Sequence, residues 1–211
     1  MLLKEDERAR VHAAVVKAEA GLAAEIVTCV FAQSSPYPET IWAGAAAAVG
    51  LACGALFLID MVRPVWLPLS TLMLIVPATG LAGAALGRWF RPLKRMLIGQ
   101  HHMAESAARR AKEIFFDRGI ARTRSRDGVL IFASLLERRV IVLADDAIRA
   151  QVKAEAWEPA IAALTAFAAD GRVADGLIAA VEKAGAALRA AGVVGQGGGE
   201  LDDETIEGDG R

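Results

Sequence analysis

RDGVLIFASLLERRVIVLADD, residues 126–146, decides the fold. Two β-rich apolar runs, Gly128–Ser134 and Arg139–Ala144, are separated only by Leu135–Arg138, which is the spacing of a β-hairpin. Folding it about Leu136 and Glu137 makes facing residue numbers sum to about 273, so Asp127 falls near Asp146 and Gly128 near Asp145. A third run of the same kind, EIVTCVF at Glu25–Phe31, lies far upstream. Both it and GVLIFAS are apolar throughout, as strands buried on two faces are. Helical sequence between them makes them parallel neighbours or near-neighbours joined by a right-handed crossover.

Outward from these strands the periodicity is helical. Lys4–Glu19 is amphipathic, with Val11, Val15, Ala18 and Leu22 on one side and acids early. Leu93, Leu97, His101, Ala104, Ala108, Ala111 and Phe115 recur at helical spacing, and Gly119 is the expected left-handed stop. After the third strand, helices are predicted near Ala147–Trp157, Pro159–Ala169 and Val173–Ala190, with Asp146 as an N-cap and Asp170-Gly171 as a turn. The tail GQGGGELDDETIEGDGR has little to bury and is predicted to be disordered.

The crossover itself is unusual. Ile41–Ile59 and Val65–Leu86 are 19 and 22 residues without a charge, and a helix of about 20 residues crosses a ~30 Å hydrocarbon layer. The link Asp60–Pro64 is too short to recross, so the two form an antiparallel hairpin. Trp42 and Trp89 fall at one interface and Trp66 at the other. Arg88, Arg91, Lys94 and Arg95 follow the second span whereas the link holds only Arg63, which places both termini in the cytoplasm. Gly50–Gly54 and Gly83–Gly87 are four-residue rows of small residues that pack either within the hairpin or between copies. Pro68 and Pro77 lie within the second span, and Pro77 is expected to kink it. Neither span carries an Asp, Glu, Lys, Arg or His, which argues against transport.

The chain of 211 residues is 55% apolar with a net charge of −1, which excludes a disordered protein, and its two cysteines exclude a disulfide-dense scaffold. Near-neutrality hides segregation: residues 88–126 hold 11 bases against 3 acids, and residues 194–211 hold 1 against 6. The basic stretch lacks the interleaved aromatics of a nucleic-acid surface, so its expected partner is anionic lipid or an acidic protein. The resulting domain plan is an α/β domain made of residues 1–35 and 96–193, an inserted transmembrane hairpin at 41–87, and an acidic tail at 194–211.

The helix leading into Glu25–Phe31, the run AARRAKEIFFDRGI at 107–120, and the strand and hairpin RDGVLIFASLLERRV at 126–140 together resemble the TPM domain. The later Asp145–Trp157 stretch, the turn after Phe167 and the last helix follow the same order. The resemblance implies an α/β/α sandwich and, as in some members, a bound calcium ion and weak phosphatase activity.

The candidate site is the sheet edge where the strands begin. Asp127, Asp145 and Asp146, with Glu25 at the same edge, could ligate a hard cation such as calcium or magnesium through oxygen. The competing reading is that they are solvated strand ends and helix caps, with Arg126 as a salt-bridge partner. His12, His101 and His102 do not share the face a metal needs. Cys29 in a strand and Cys53 in a span are not placed as nucleophiles, and no phosphate loop, zinc motif or serine elbow occurs. The hairpin tip with Leu135, Leu136, Arg138 and Arg139 is expected to lie near lipid headgroups or to fold back onto the core. The sequence thus reads as a bacterial inner-membrane protein, multi-pass, acting as an interaction or assembly module with a membrane-protein partner or with copies of itself. A membrane-tethered, divalent-ion-dependent phosphatase is the alternative.

Overall fold

Glu25–Phe31 (β1) and Gly128–Ser134 (β2) pair in parallel, Glu25 opposite Gly128 and Phe31 opposite Ser134. All seven residues of each strand are buried. Arg139–Ala144 (β3) returns antiparallel to β2 with Val129 opposite Ala144, the register the folding-point arithmetic requires. The computed structural model describes residues 2–64, 66–195, 201 and 204–209. The chain divides into two compact units, Met1–Ser35 with Met103–Arg211, and Pro36–His102.

In the first unit the sheet order is β3-β2-β1-β4, where β4 is Ile206–Gly208, parallel to β1. This corrects the expectation of a wholly disordered tail for the residues described there. Low apolar content left no periodic signal, but three residues suffice to form a short ladder when a neighbouring edge is open. Alternate strand residues feed two cores. Ile26, Val30, Val129 and Ile131 face Glu5–Glu19 (α1) and the late helices, among them Val11, Val15, Leu164, Leu177 and Leu188. Val27, Cys29, Phe31, Leu130 and Phe132 face Ala107, Ala111, Ile114 and Phe115. The sheet is therefore covered on both faces.

The late helices are Asp146–Gln151, Glu158–Ala169 and Val173–Ala190, with a 3₁₀ turn at Ala154–Trp157 between the first two. The N-cap of the first is Asp145, one residue before the expected Asp146, because the Asp145 carboxylate accepts from the Asp146 N–H. Gly119 has φ 72° and ends the helix packed on the Phe132 side, as its lack of Cβ allows.

The second unit is built on Glu39–Val62 (α2) and Leu69–Trp89 (α3). Thr40 lies against Gly87, Gly44 against Gly83 and Val49 against Gly80, so the helices run antiparallel. A Cβ on Gly83 would overlap the Gly44 carbonyl and the Ala48 methyl, and one on Gly87 would overlap the Thr40 carbonyl. The Gly83–Gly87 row is thus consumed within the hairpin, joined by Gly44, whereas a Cβ on Gly50 or Gly54 would meet nothing. Pro68 is the N-cap of α3 and only Pro77 lies inside it. Both helices are long and apolar enough to cross a membrane, and Trp42, Leu51, Phe57, Leu74 and Trp89 are exposed along them.

The expected continuous helix from Leu93 onward is broken, with Arg91–Leu97 (α4) separated from Gln100–Asp117 (α5) at Ile98 and Gly99. At the base of the second unit, Tyr37 is buried with φ 48°, and the Lys94 ammonium of α4 lies 3.2 Å from the Pro36 carbonyl and 5.5 Å from the Tyr37 ring centre. His102 meets the same ring edge-on at 5.8 Å. This clasp ties the exit of the hairpin to its entrance. Because backbone contact leaves no room for a side chain, Gly83→Val will lower the melting temperature of the detergent-solubilised chain, whereas Gly50→Val will leave it unchanged. Equal effects of the two would show that the Gly83 contact does not hold the helices together.

Candidate functional site: the acidic edge of the sheet

Where β1 and β2 begin, the Glu25 N–H bonds the Asp127 carbonyl at 3.3 Å and the Asp145 N–H bonds the Gly128 carbonyl at 2.9 Å. The shared edge expected for Glu25, Asp127 and Asp145 is therefore present, and Glu25, Asp127 and Asp145 are all buried. Asp146 follows as an exposed residue on the first turn of its helix.

The guanidinium of Arg126 stands between the two helix-start carboxylates. Its Nε lies 3.2 Å from Asp145 Oδ1 and 3.0 Å from Oδ2, and its Nη2 lies 2.6 Å from Asp146 Oδ2. Arg126 adopts a left-handed backbone, φ 55°, that a non-glycine residue takes only when its surroundings impose it. They do so here: its N–H bonds the Thr123 carbonyl, its carbonyl accepts from Ala147, and the Asp127 N–H bonds the Thr123 hydroxyl at 3.2 Å. Gly128 completes the turn, since a Cβ there would overlap the Ile120 carbonyl.

Asp127 is the exception. Its Oδ1 is buried without a hydrogen-bond partner among the described residues. That orphan marks where another donor or a cation would be accommodated. Against a cation, Arg126 already supplies the positive charge between Asp145 and Asp146. Among the described residues, moreover, no three His, Cys, Asp or Glu side chains are grouped so that they could hold a metal ion. Asp127, Asp145 and Asp146 therefore share an edge, but only the latter two share a partner.

The sequence reading missed two polar clusters. At the opposite sheet edge, the buried Ser34, Ser134 and Glu137 form a chain: Ser34 Oγ donates to Ser134 Oγ at 2.8 Å, the Ser134 hydroxyl donates to the Glu137 carboxylate, and the Ser34 N–H bonds Glu137 Oε1 at 2.8 Å. The cue was the three-residue step from Ser134 to Glu137 across a tight tip. Leu135 packs partly buried against the larger core and Leu136 is buried, so the tip does not offer exposed leucines; Arg138 and Arg139 are exposed.

The second missed cluster joins the tail to the N-terminus. The Glu207 carboxylate accepts from Arg8 Nε at 2.6 Å and from the Leu2 and Leu3 N–H groups at 2.5 and 3.4 Å. Burial alone would raise the Glu207 carboxyl, but Arg8 and the two N–H donors outweigh it and hold the carboxyl below its ordinary range. Cys29 is buried in β1, and burial pushes its thiol up to about 12 despite Arg118 and Arg110, so it is not a nucleophile at neutral pH.

The family model of the TPM domain matches residues 97–187, from the end of α4 through most of the last helix. The fold is similar to the NMR structure of the BA42 protein from the psychrophilic bacterium Bizionia argentinensis, at 15% identity and a TM-score of 0.56, over 98% of this chain and 95% of that one. No curated protein matches the chain in sequence.

Arg126→Ala leaves the buried Asp145 carboxylate without its counter-charge and will cost about 1–3 kcal/mol. Asp146→Ala, at an exposed position, will cost at most about 1 kcal/mol. Chemical denaturation of the two variants checks this order, and the reverse order would mean that Asp145 does not depend on Arg126.

Proposed function

We propose that the chain is a membrane-anchored TPM-domain module that works by interaction or assembly at a cytoplasmic membrane surface. One observation carries the reading. The apolar hairpin of α2 and α3 is inserted between β1 and the helix preceding β2, within the crossover of the sheet rather than at a chain terminus. An anchor in that position couples the membrane to the folding of the domain itself. Further support comes from the exposed apolar faces of both helices and from Arg88 in the last turn of α3 with Arg91 and Arg95 just after it, a charge bias of the kind retained on the cytoplasmic side. The basic residues also suit anionic headgroups, each contributing about 1 kcal/mol near such a surface.

The interaction role takes precedence over catalysis because of the acidic edge. We read Arg126 as an internal cation that neutralises Asp145 and Asp146, so these two carboxylates form a structural clamp and only Asp127 Oδ1 is left to take a further donor or cation. No step of phosphoester hydrolysis is therefore assigned to these residues.

Both parts of the reading are testable on the full chain. Reporter fusions at Arg63 and Arg211 will place the inter-helix link outside and the C-terminus in the cytoplasm, and the chain will resist alkaline extraction from membranes. Release into the soluble fraction or an extracytoplasmic C-terminus would overturn the anchoring. With p-nitrophenyl phosphate plus calcium or magnesium, the purified chain will show no turnover that depends on Asp127 and Asp146. Turnover abolished by both Asp127→Ala and Asp146→Ala would instead establish the phosphatase alternative.

A further inference from the structure

The outer edge of β1 would expose unpaired N–H and C=O groups were it not covered by the tail. The cover is selective as well as hydrogen-bonded. Ile206, Glu207 and Gly208 pair with Cys29, Val30 and Phe31, and the Ala32 N–H bonds the Gly208 carbonyl at 2.9 Å. The Thr205 hydroxyl meets the Thr28 hydroxyl at 2.9 Å. Glu207 is held by the three donors of Arg8, Leu2 and Leu3. A Cβ on residue 208 would overlap the Phe31 ring, so only glycine fits there. Main-chain pairing supplies affinity and alternate side-chain seats supply specificity, the logic of strand addition to a sheet edge. Beside the strand the groove continues as a cavity of about 380 Å³ that Arg8 and Arg118 help to line.

We propose that this edge of β1 is a recognition groove for the extended acidic segment Thr205–Gly208, and that it takes the segment from a second copy of the chain as well as from its own. Three features support exchange. A three-residue strand is held by few bonds, each worth about 1 kcal/mol net, and so belongs to the part of the fold that opens locally. Ten residues, 196–205, separate Gly195 from Ile206 in sequence, and at full extension they reach at most about 36 Å, enough to enter a neighbour's sheet. A second copy also carries the matching threonine, glutamate and glycine by construction, and exchange of an identical element is a low-cost route to association.

The test traps the strand in place. In a background of Cys29→Ala and Cys53→Ala, the full chain carrying Thr28→Cys and Thr205→Cys will form an intramolecular disulfide under mild oxidation. Co-expression of a Thr28→Cys chain with a differently tagged Thr205→Cys chain will give a disulfide-linked heterodimer. A Thr165→Cys chain, cysteine at an exposed helix site, will not cross-link to Thr205→Cys beyond background. Glu207→Ala in the donor chain, or an excess of a synthetic peptide of residues 204–209, will lower the heterodimer yield at least about fivefold, the equivalent of one lost hydrogen bond. An intramolecular disulfide without any heterodimer would confine the groove to its own tail. Absence of both disulfides would overturn the groove altogether, and equal cross-linking at Thr165→Cys would reduce the heterodimer to collision.

Discussion

The parallel ladder between β1 and β2 is the contact on which the rest depends. It joins residues about a hundred positions apart, with both faces buried, and each apolar side chain removed from water contributes about 1.5–3 kcal/mol. A closure of that length is costly in entropy, and parallel pairing cannot repay it through a local turn. The inserted hairpin changes the accounting. Because Thr40 touches Gly87 and Lys94 reaches the Pro36 carbonyl, the ends of the insertion are brought together by contacts internal to it. With its two ends held together in this way, the insertion spans far less distance between β1 and α5 than its residue count allows.

The same ladder explains the distribution of polar groups. With both sheet faces closed by side chains, polar chemistry is confined to the two strand ends and the outer edge of β1. One end is the Arg126 clamp on Asp145 and Asp146, the other is the Ser34, Ser134 and Glu137 chain, and the open edge is covered by β4. Each cluster satisfies backbone or side-chain groups that would otherwise be buried unpaired, while Asp127 Oδ1 and Asp145 Oδ2 have no hydrogen-bond partner among the described residues.

Much of this was legible in the sequence because it rests on periodicity. The three long strands begin and end where their apolar runs do, and the hairpin register follows from the four residues between β2 and β3. The two uncharged stretches gave the antiparallel helices. What periodicity could not encode was geometry set by single residues. The left-handed backbone of Arg126 turns its guanidinium onto two carboxylates, and nothing in the pattern RDG specifies that φ. The break at Ile98 and Gly99 falls inside a continuous helical pattern. β4 was invisible for the opposite reason: its acidic, glycine-rich surroundings suggest solvent, and its contacts with Arg8 and Phe31 lie far away in sequence. Asp127, Asp145 and Asp146 were placed at the right edge, and Arg126, named from the sequence as a salt-bridge partner, pairs with Asp145 and Asp146 but not with Asp127.

Residues on both sides of the apolar hairpin form one cooperative sheet. Hydrogen–deuterium exchange of the full chain in detergent or lipid tests it most directly, followed at the amides of Glu25–Phe31 and Gly128–Ser134. Both strands will exchange slowly and with the same opening free energy, since neither can lose the ladder alone. Fast exchange in Glu25–Phe31 beside full protection of Gly128–Ser134 would contradict it, showing a domain that stands on residues after the hairpin without the strand before it.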